Sequence, residues 1–415
     1  MASLVFIIDI EEGHLLPSFW LAQALRSAGH DITYVSVPDN EPYINQQGFR
    51  FYAIFEKSFP RGTNLKIKER LRLEGYSKTD APLNSYFEEL VKFDFRVILR
   101  DLKPDLIIMS WMLCLEALIL YYTLRVSPVI FTPCLRPVKR DIIADCHDTL
   151  MAVSGDRAAR LIDTIINFGY KFKSLTDFSK PLASFDEIVH CPSELEMETI
   201  EVRKNVYHLG PGIFKRTDTD GAGWDMKVCK GNRIVYASLG TQSIIYGRTR
   251  DRCFEVFLRM MGMREMAGWH LILATCCEQD GIDRSKIPEN VSVVKWAPQT
   301  EVLESAEVAI IHGGLGTIKE CIYYGVPMIV LPLARDQPLN ARRVAYHRLG
   351  IVHEPELVLA EQLAASILAI ANSDEIRSAL RRMQKLFHEK DESNSIVKVI
   401  GEILYNRKIK SPSPL

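Results

Sequence analysis

Short, unbroken apolar runs alternate with amphipathic helical stretches along this chain, and the alternation starts twice. Leu4–Ile8 is apolar throughout, as a strand covered on both faces requires. A turn at Glu11-Glu12-Gly13-His14 follows. Leu21, Ala24, Leu25 and Ala28 then repeat as one helix face, which Gly29 ends. Further strands are predicted at Ile32–Val37, Phe51–Ile54, Asp105–Met109, Val129–Phe131 and Glu187–His190, with a helix over Tyr86–Leu99. The rhythm breaks at 211–232, where Gly, Asp, Lys and Thr dominate, and this reads as a linker. It restarts with strands at Ile234–Ala237, His270–Ala274, Val291–Lys295, Val308–Ile311 and Met328–Leu331. Strand–helix–strand in this order dictates parallel sheets with right-handed crossovers. The expected organisation is therefore α/β, with two doubly wound Rossmann-like domains at 1–210 and 233–390. The linker 211–232 joins them, and a C-terminal helix and tail occupy 391–415.

Two stretches carry no strand signal. Residues 56–83 are polar and charged and read as a long mobile loop, whereas 140–182 is helical in pattern, as a lid or as helices packed on the core. The first strand is too short to be a signal peptide. Leu106–Leu124 is long enough to span a membrane, but Glu116 near its middle favours a buried strand, a turn at Ser110 and a buried helix. With 51 basic and 52 acidic residues, no bulk positive field exists for nucleic acid. Arg136, Lys139 and Arg140 leave peripheral membrane contact or an anionic acceptor open. The nine cysteines form no CxxC pair, which argues against a zinc framework and for a reducing, cytoplasmic setting. Asp218-Thr219-Asp220 looks like a cation-holding pattern but lies in the linker, so no metal site is expected there.

The densest chemistry runs from Trp296 to Gln337. The strand Val308–Ile311 ends in His312-Gly313-Gly314-Leu315-Gly316-Thr317, and a helix follows. Glycines let backbone approach a ligand closely, the helix N-terminus offers unpaired N–H groups, and His312 and Thr317 add donors. That set suits a diphosphate. Trp296, with Ala297, Pro298 and Gln299, offers an indole face to a flat base. Glu320, one turn after Thr317, can accept from ribose hydroxyls, and Asp336-Gln337 can grip sugar hydroxyls.

WAPQ, HGGLGT, the Glu320 helix, GVPMIVLP and Asp336-Gln337 resemble, in order and spacing, the donor signature of the family-one, GT-B-fold glycosyltransferases, which include plant UDP-glycosyltransferases and bacterial macrolide glycosyltransferases. The resemblance implies two Rossmann-like domains facing a central cleft, with C-terminal helices returning to the N-terminal domain. It implies that Trp296 stacks on uracil, with the Ala297 backbone and Gln299 beside it. His312, Gly314, Gly316, Thr317 and Thr241 would hold the diphosphate, Glu320 the ribose, and Asp336 and Gln337 the sugar.

Gly13-His14-Leu-Leu-Pro17 resembles the family's GHxxP turn, which implies His14 as general base. A histidine near pKa 6.5 can take the proton of an attacking hydroxyl. The usual Asp partner is missing, because Pro104-Asp-Leu-Ile-Ile-Met-Ser110 places Ser110 in its position. A serine can orient the ring but brings no charge. The carboxylate is then to be sought at Glu116, Asp9, Glu11 or Glu12. The implied reaction is inverting, metal-independent transfer of a hexose, first glucose, from a UDP-sugar co-substrate to a small lipophilic or phenolic acceptor, with no further cofactor. The protein would be a monomer or homodimer. Two other readings are a UDP-GlcNAc 2-epimerase-like isomerase and a non-catalytic UDP-sugar-binding accessory protein, the latter motivated by Ser110.

Overall fold

The computed structural model describes residues 1–74, 93–137, 140–152, 162–163, 166–167, 169–198, 203–213, 231–276, 281–392 and 395–410. Contacts divide the chain into two compact units. The first comprises Met1–His190, Ile200–Gly212 and Asn394–Leu415, and the second Cys191–Thr199 and Ile213–Ser393.

Seven parallel strands form the first unit's sheet: β1 (Ser3–Ile7), β2 (Asp31–Ser36), β3 (Arg50–Ala53), β4 (Leu106–Ser110), β5 (Val129–Thr132), β6 (Glu187–Val189) and β7 (Val206–His208). Their order is β3-β2-β1-β4-β5-β6-β7. The order reverses between β1 and β4, and such sheets bind ligands outside the strand ends at that point. Both faces are covered, as the unbroken apolar runs require. Val5, Ile7, Ile107 and Met109 pack on one side with Leu115 and Leu118 of the helix after β4, while Phe6 and Tyr34 stack on the other at 5.0 Å.

The main helices of this unit are α1 (Glu12–Ser27), α2 (Thr63–Glu74), α3 (Cys114–Leu124) and α4 (Ile142–Ala152). The loop expected over 56–83 is in part the helix α2. Its charges hide it in the sequence, yet Lys68 pairs with Glu12 of α1 at 2.9 Å. Within 140–182, Ile142, Cys146, Phe178 and Leu182 belong to the core, with Tyr170 and Phe172 packed on it, while 153–161, 164–165 and 168 lie outside the described residues. The apolar stretch 106–124 is β4 followed by α3, and among the described residues no helix is long and apolar enough to cross a membrane.

The second unit has six parallel strands: β8 (Arg233–Ser238), β9 (Trp269–Ala274), β10 (Val291–Val294), β11 (Val308–Ile311), β12 (Met328–Val330) and β13 (Gly350–Val352). They are ordered β10-β9-β8-β11-β12-β13, with the reversal between β8 and β11. Its helices include α5 (Gly247–Met261), α6 (Leu315–Tyr324), α7 (Gln337–Tyr346), α8 (Ala360–Ala371) and α9 (Asp374–Glu392). The last helix, α10 (Ser395–Lys410), packs on α1 in the first unit, burying Ile396, Ile400 and Ile403. Asp218-Thr219-Asp220 lies outside the described residues, as do Lys139 and the first half of the predicted helix Tyr86–Leu99.

Candidate functional site

At the reversal point of the first sheet, register brings two distant residues together. Ile7 of β1 pairs with Met109 of β4, so Asp9 and Ser110 emerge from neighbouring strand ends. Glu11 caps α1, which places His14 in its first turn. His14 Nδ1 lies 2.9 Å from Asp9 Oδ1 and 3.0 Å from Oδ2. Ser110 Oγ donates to Asp9 Oδ2, and the Glu11 N–H donates to Oδ1 at 2.9 Å. Asn40 Nδ2 holds the Asp9 carbonyl at 2.9 Å. Burial alone would raise the Asp9 carboxyl, but the His14 charge and the bonds from His14, Ser110 and Glu11 outweigh it, so its pKa is lowered.

An ionised Asp9 can only accept hydrogen bonds, so Nδ1 of His14 must carry the proton. The neutral ring then has its lone pair on Nε2. This is the tautomer a general base needs. Ser110 orients the carboxylate rather than the imidazole. Glu116 is not the charge that faces His14. It is buried in the first turn of α3, where burial first and the nearby Asp9 charge second push its pKa up to about 8. At neutral pH it is therefore mostly protonated. Glu12 is engaged by Lys68.

Trp111 stands edge-on to His14, with ring centroids 5.9 Å apart, and Arg136 lies over the Trp111 ring at 5.7 Å. Arg136 is held by Asp145 and Glu187, and Arg140 by Asp145 and Asp148. These two arginines are thus paired with carboxylates of their own unit.

The donor-signature residues gather at the reversal point of the second sheet. β8 and β11 pair through Ser238 and Ile311, and both chains then turn. Gly240 has a φ of 82°, and a Cβ there would strike the His312 ring at 2.5 Å; one at Gly314 would do the same. The imidazole is therefore seated against two bare backbone segments. Burial pushes His312 down to about 4, against the pull of Asp336 and the Ser238 backbone. It is neutral at pH 7 and brings no positive charge to this strand end. At Gly316, in the first turn of α6, a Cβ would meet nothing within 4 Å. Thr241, also after β8, and Thr317 complete this end of the sheet, both half-buried.

Trp296 and Ala297 follow β10 and are half-buried. Gln299 reaches away from them into a polar cluster. Its Oε1 accepts from the Tyr236 hydroxyl at 2.7 Å, and its Nε2 donates to Glu320 and, at 3.5 Å, to Thr317 Oγ1. Gln337 is buried, and its Oε1 accepts from the Leu333 and Ala334 N–H groups at 2.8 and 3.0 Å, so this oxygen shapes the loop before α7. Asp336 sits at the α7 N-cap and accepts from Asn340 at 2.8 Å. Asn340 escaped the sequence reading, although it stands four residues after Asp336. Among the described residues, no group of three His, Cys, Asp or Glu is placed to hold a metal.

Residues 266–403 match the family model for the erythromycin biosynthesis protein CIII-like C-terminal domain. NDP-glycosyltransferase YjiC of Bacillus subtilis is 24% identical over 384 residues, 90% of each chain. Zeaxanthin glucosyltransferase of Pantoea ananas is 26% identical, over 80% of this chain and 79% of its own. The solved structure of CalG4, the calicheamicin glycosyltransferase, superposes with a TM-score of 0.74 at 20% identity, covering 99% of this chain and 100% of that one. Two sheets of this strand order, the donor signature at the second reversal point and these relatives agree. The chain has the fold of the GT-B glycosyltransferases, and over most of its length it is similar in sequence to bacterial glycosyltransferases.

Proposed function

We propose that this protein transfers a hexose, first glucose, from a UDP-sugar to a hydroxyl of a small lipophilic acceptor with inversion, His14 acting as base and no metal being required. The observation that carries the reading is the His14–Asp9–Ser110 arrangement. Nε2 of His14 takes the acceptor proton as the acceptor oxygen bonds to the anomeric carbon. The bond from that carbon to the diphosphate oxygen breaks, and its electron pair leaves with UDP. Asp9 stabilises the imidazolium so formed, supplying the charge that Ser110 lacks. The N–H groups at the start of α6, with His312, Thr317 and Thr241, offset the charge on the departing diphosphate. Trp296 and Ala297 would bind the base, Glu320 the ribose, and Asp336 the sugar. Gln299 then acts by orienting Glu320 rather than by reading uracil. The lipophilic acceptor is supported by the names of two relatives, which act on zeaxanthin and in calicheamicin glycosylation.

The accessory-protein reading rested on Ser110 and loses its ground once Asp9 stands in its place. The isomerase reading offers no role for a His14–Asp9 pair of this kind. The test is mass spectrometry on the purified chain with UDP-glucose, UDP-galactose, UDP-GlcNAc and a thymidine-linked sugar, a panel of phenolic and lipophilic acceptors, and chelator present. The expected product is an acceptor heavier by one hexose. Nucleotide binding without transfer or donor hydrolysis would overturn the reading, and so would transfer abolished by chelator for its metal-independent part.

A further inference from the structure

We propose that Asn340 and Arg343 are positioning residues that lock the Asp336 carboxylate and the Gly313 backbone into the arrangement that receives the donor sugar. The proposal rests on the donor-site reading above. Arg343, on α7, is 1% exposed, and its guanidinium forks onto Glu196. Nε and Nη2 lie 2.9 Å from Oε2 and Oε1. Its remaining nitrogen, Nη1, donates to Asn340 Oδ1 at 2.9 Å. That bond decides which way the amide faces. Asn340 Nδ2 must then point away from Arg343, and its two hydrogens reach the Gly313 carbonyl at 3.0 Å and Asp336 Oδ2 at 2.8 Å. All three nitrogens of the guanidinium and both hydrogens of the amide are thus used.

The chain of bonds has a direction. Glu196 balances the charge of Arg343, Arg343 sets the amide, and the amide holds one oxygen of Asp336 and one backbone carbonyl of the glycine loop. The other oxygen of Asp336 is left to a sugar hydroxyl. A second tie fixes the same segment to α7, since His347 Nε2 lies 3.1 and 3.0 Å from the Leu195 and Glu196 carbonyls and can only donate to them. A buried ion pair of this kind contributes little stability beyond what well-packed apolar side chains would give. What it contributes here is geometry, because a Lys or Met at 343 cannot hold Glu196 and Asn340 together. Neither Asn340 nor Arg343 needs to touch the donor.

The test uses the full chain with Asn340→Asp, Arg343→Lys and Arg343→Met. Asn340→Asp can still accept from Arg343 but cannot donate, and it sets a carboxylate against Asp336. Two readouts are taken. The first is calorimetric Kd for UDP and for UDP-glucose, with KM for donor and acceptor. The second is hydrogen exchange, without ligand, in peptides covering 311–318 and 332–340. The expected result is UDP-glucose binding weakened at least about tenfold, and further than UDP binding, while acceptor KM moves less than about threefold. Exchange should rise in both peptides. Equal weakening for UDP and UDP-glucose, or unchanged affinities, would overturn the proposal. Should an Arg343 variant fail to accumulate, Asn340→Asp and the smaller Asn340→Ser carry the test. A wild type that binds no UDP-sugar would refute the donor reading instead. Exchange alone then judges the network, and unchanged exchange in the variants overturns it.

Discussion

In the proposed reaction Asp9 carries the charge of the base, and this gives the first prediction its shape. In Asp9→Asn, an amide faces Nδ1 and either loses the acceptor or presents its own N–H, which forces the wrong tautomer. The expected loss in kcat is about 100- to 10,000-fold, with UDP affinity unchanged. Ser110→Asp alone should not improve the enzyme. It places a second carboxylate against Asp9, and like charges so close cannot both stay ionised. The double variant Asp9→Asn/Ser110→Asp should recover at least about tenfold over Asp9→Asn, because the charge returns from the neighbouring strand. A double variant no better than the single one would refute the idea that the two strand ends are interchangeable. Glu116 permits a second prediction, in stability. Its pKa rises from 4.5 to about 8 on folding. The folded chain therefore binds more protons than the unfolded chain between these values, and stability falls as pH rises through that window. Glu116→Gln removes this term. Its unfolding free energy relative to wild type should climb from pH 5 to pH 8, with a slope of at most about 1.4 kcal/mol per pH unit. A gap independent of pH would mean that Glu116 is ionised in the fold.

At the scale of elements, the start of α6 is where the proposed reaction has ligand and backbone meet. Gly316 and Gly314 make a contrast there. A side chain at Gly314 strikes His312, whereas one at Gly316 meets only open space. Gly316→Ala should therefore fold with an unchanged or slightly raised melting temperature, since alanine favours helix by about 1 kcal/mol. Nucleotide affinity should nevertheless fall at least about tenfold, because the added methyl occupies the space a diphosphate needs. Full affinity in Gly316→Ala would move the diphosphate off this helix. Elements also mark what the sequence could and could not reveal. The long strands were legible because burial on both faces makes them uniformly apolar. The three-residue strands β7 and β13 were not, since half-buried edges leave no such run. Charges hid α2, although its Ile67 packs on the core. The residues of the donor signature were legible as a group because Trp296 to Gln337 are close in sequence. The partner of His14 stayed one of four carboxylates, because only the β1–β4 register brings Ser110 to Asp9 across 101 residues.

For the whole molecule, the proposed reaction divides its chemistry between the two units, and the chain passes from one to the other more than once. Residues 191–199 lie among first-unit sequence but cluster with the second unit, and α10 ends the chain back in the first. The helix carrying His14 thus depends on residues some 390 positions later. Ile400 is fully buried, Ile396 and Ile403 nearly so, and Arg407 reaches Asp186 at 3.5 Å. Emptying the Ile400 site removes apolar contact from α10 and leaves a cavity under it. Ile400→Ala should cost about 2–5 kcal/mol in the unit that holds α1. A chain with two cores need not unfold in one step, so one global midpoint would not locate the loss. Hydrogen exchange resolved by peptide does locate it. Protection should fall in β1, α1 and α10 and stay constant in β8, β11 and α6, with UDP affinity retained and kcat reduced as α1 loosens. Equal loss across both sheets would show instead that the two cores melt as one cooperative body. The His14 helix would then draw its stability from the entire chain rather than from α10.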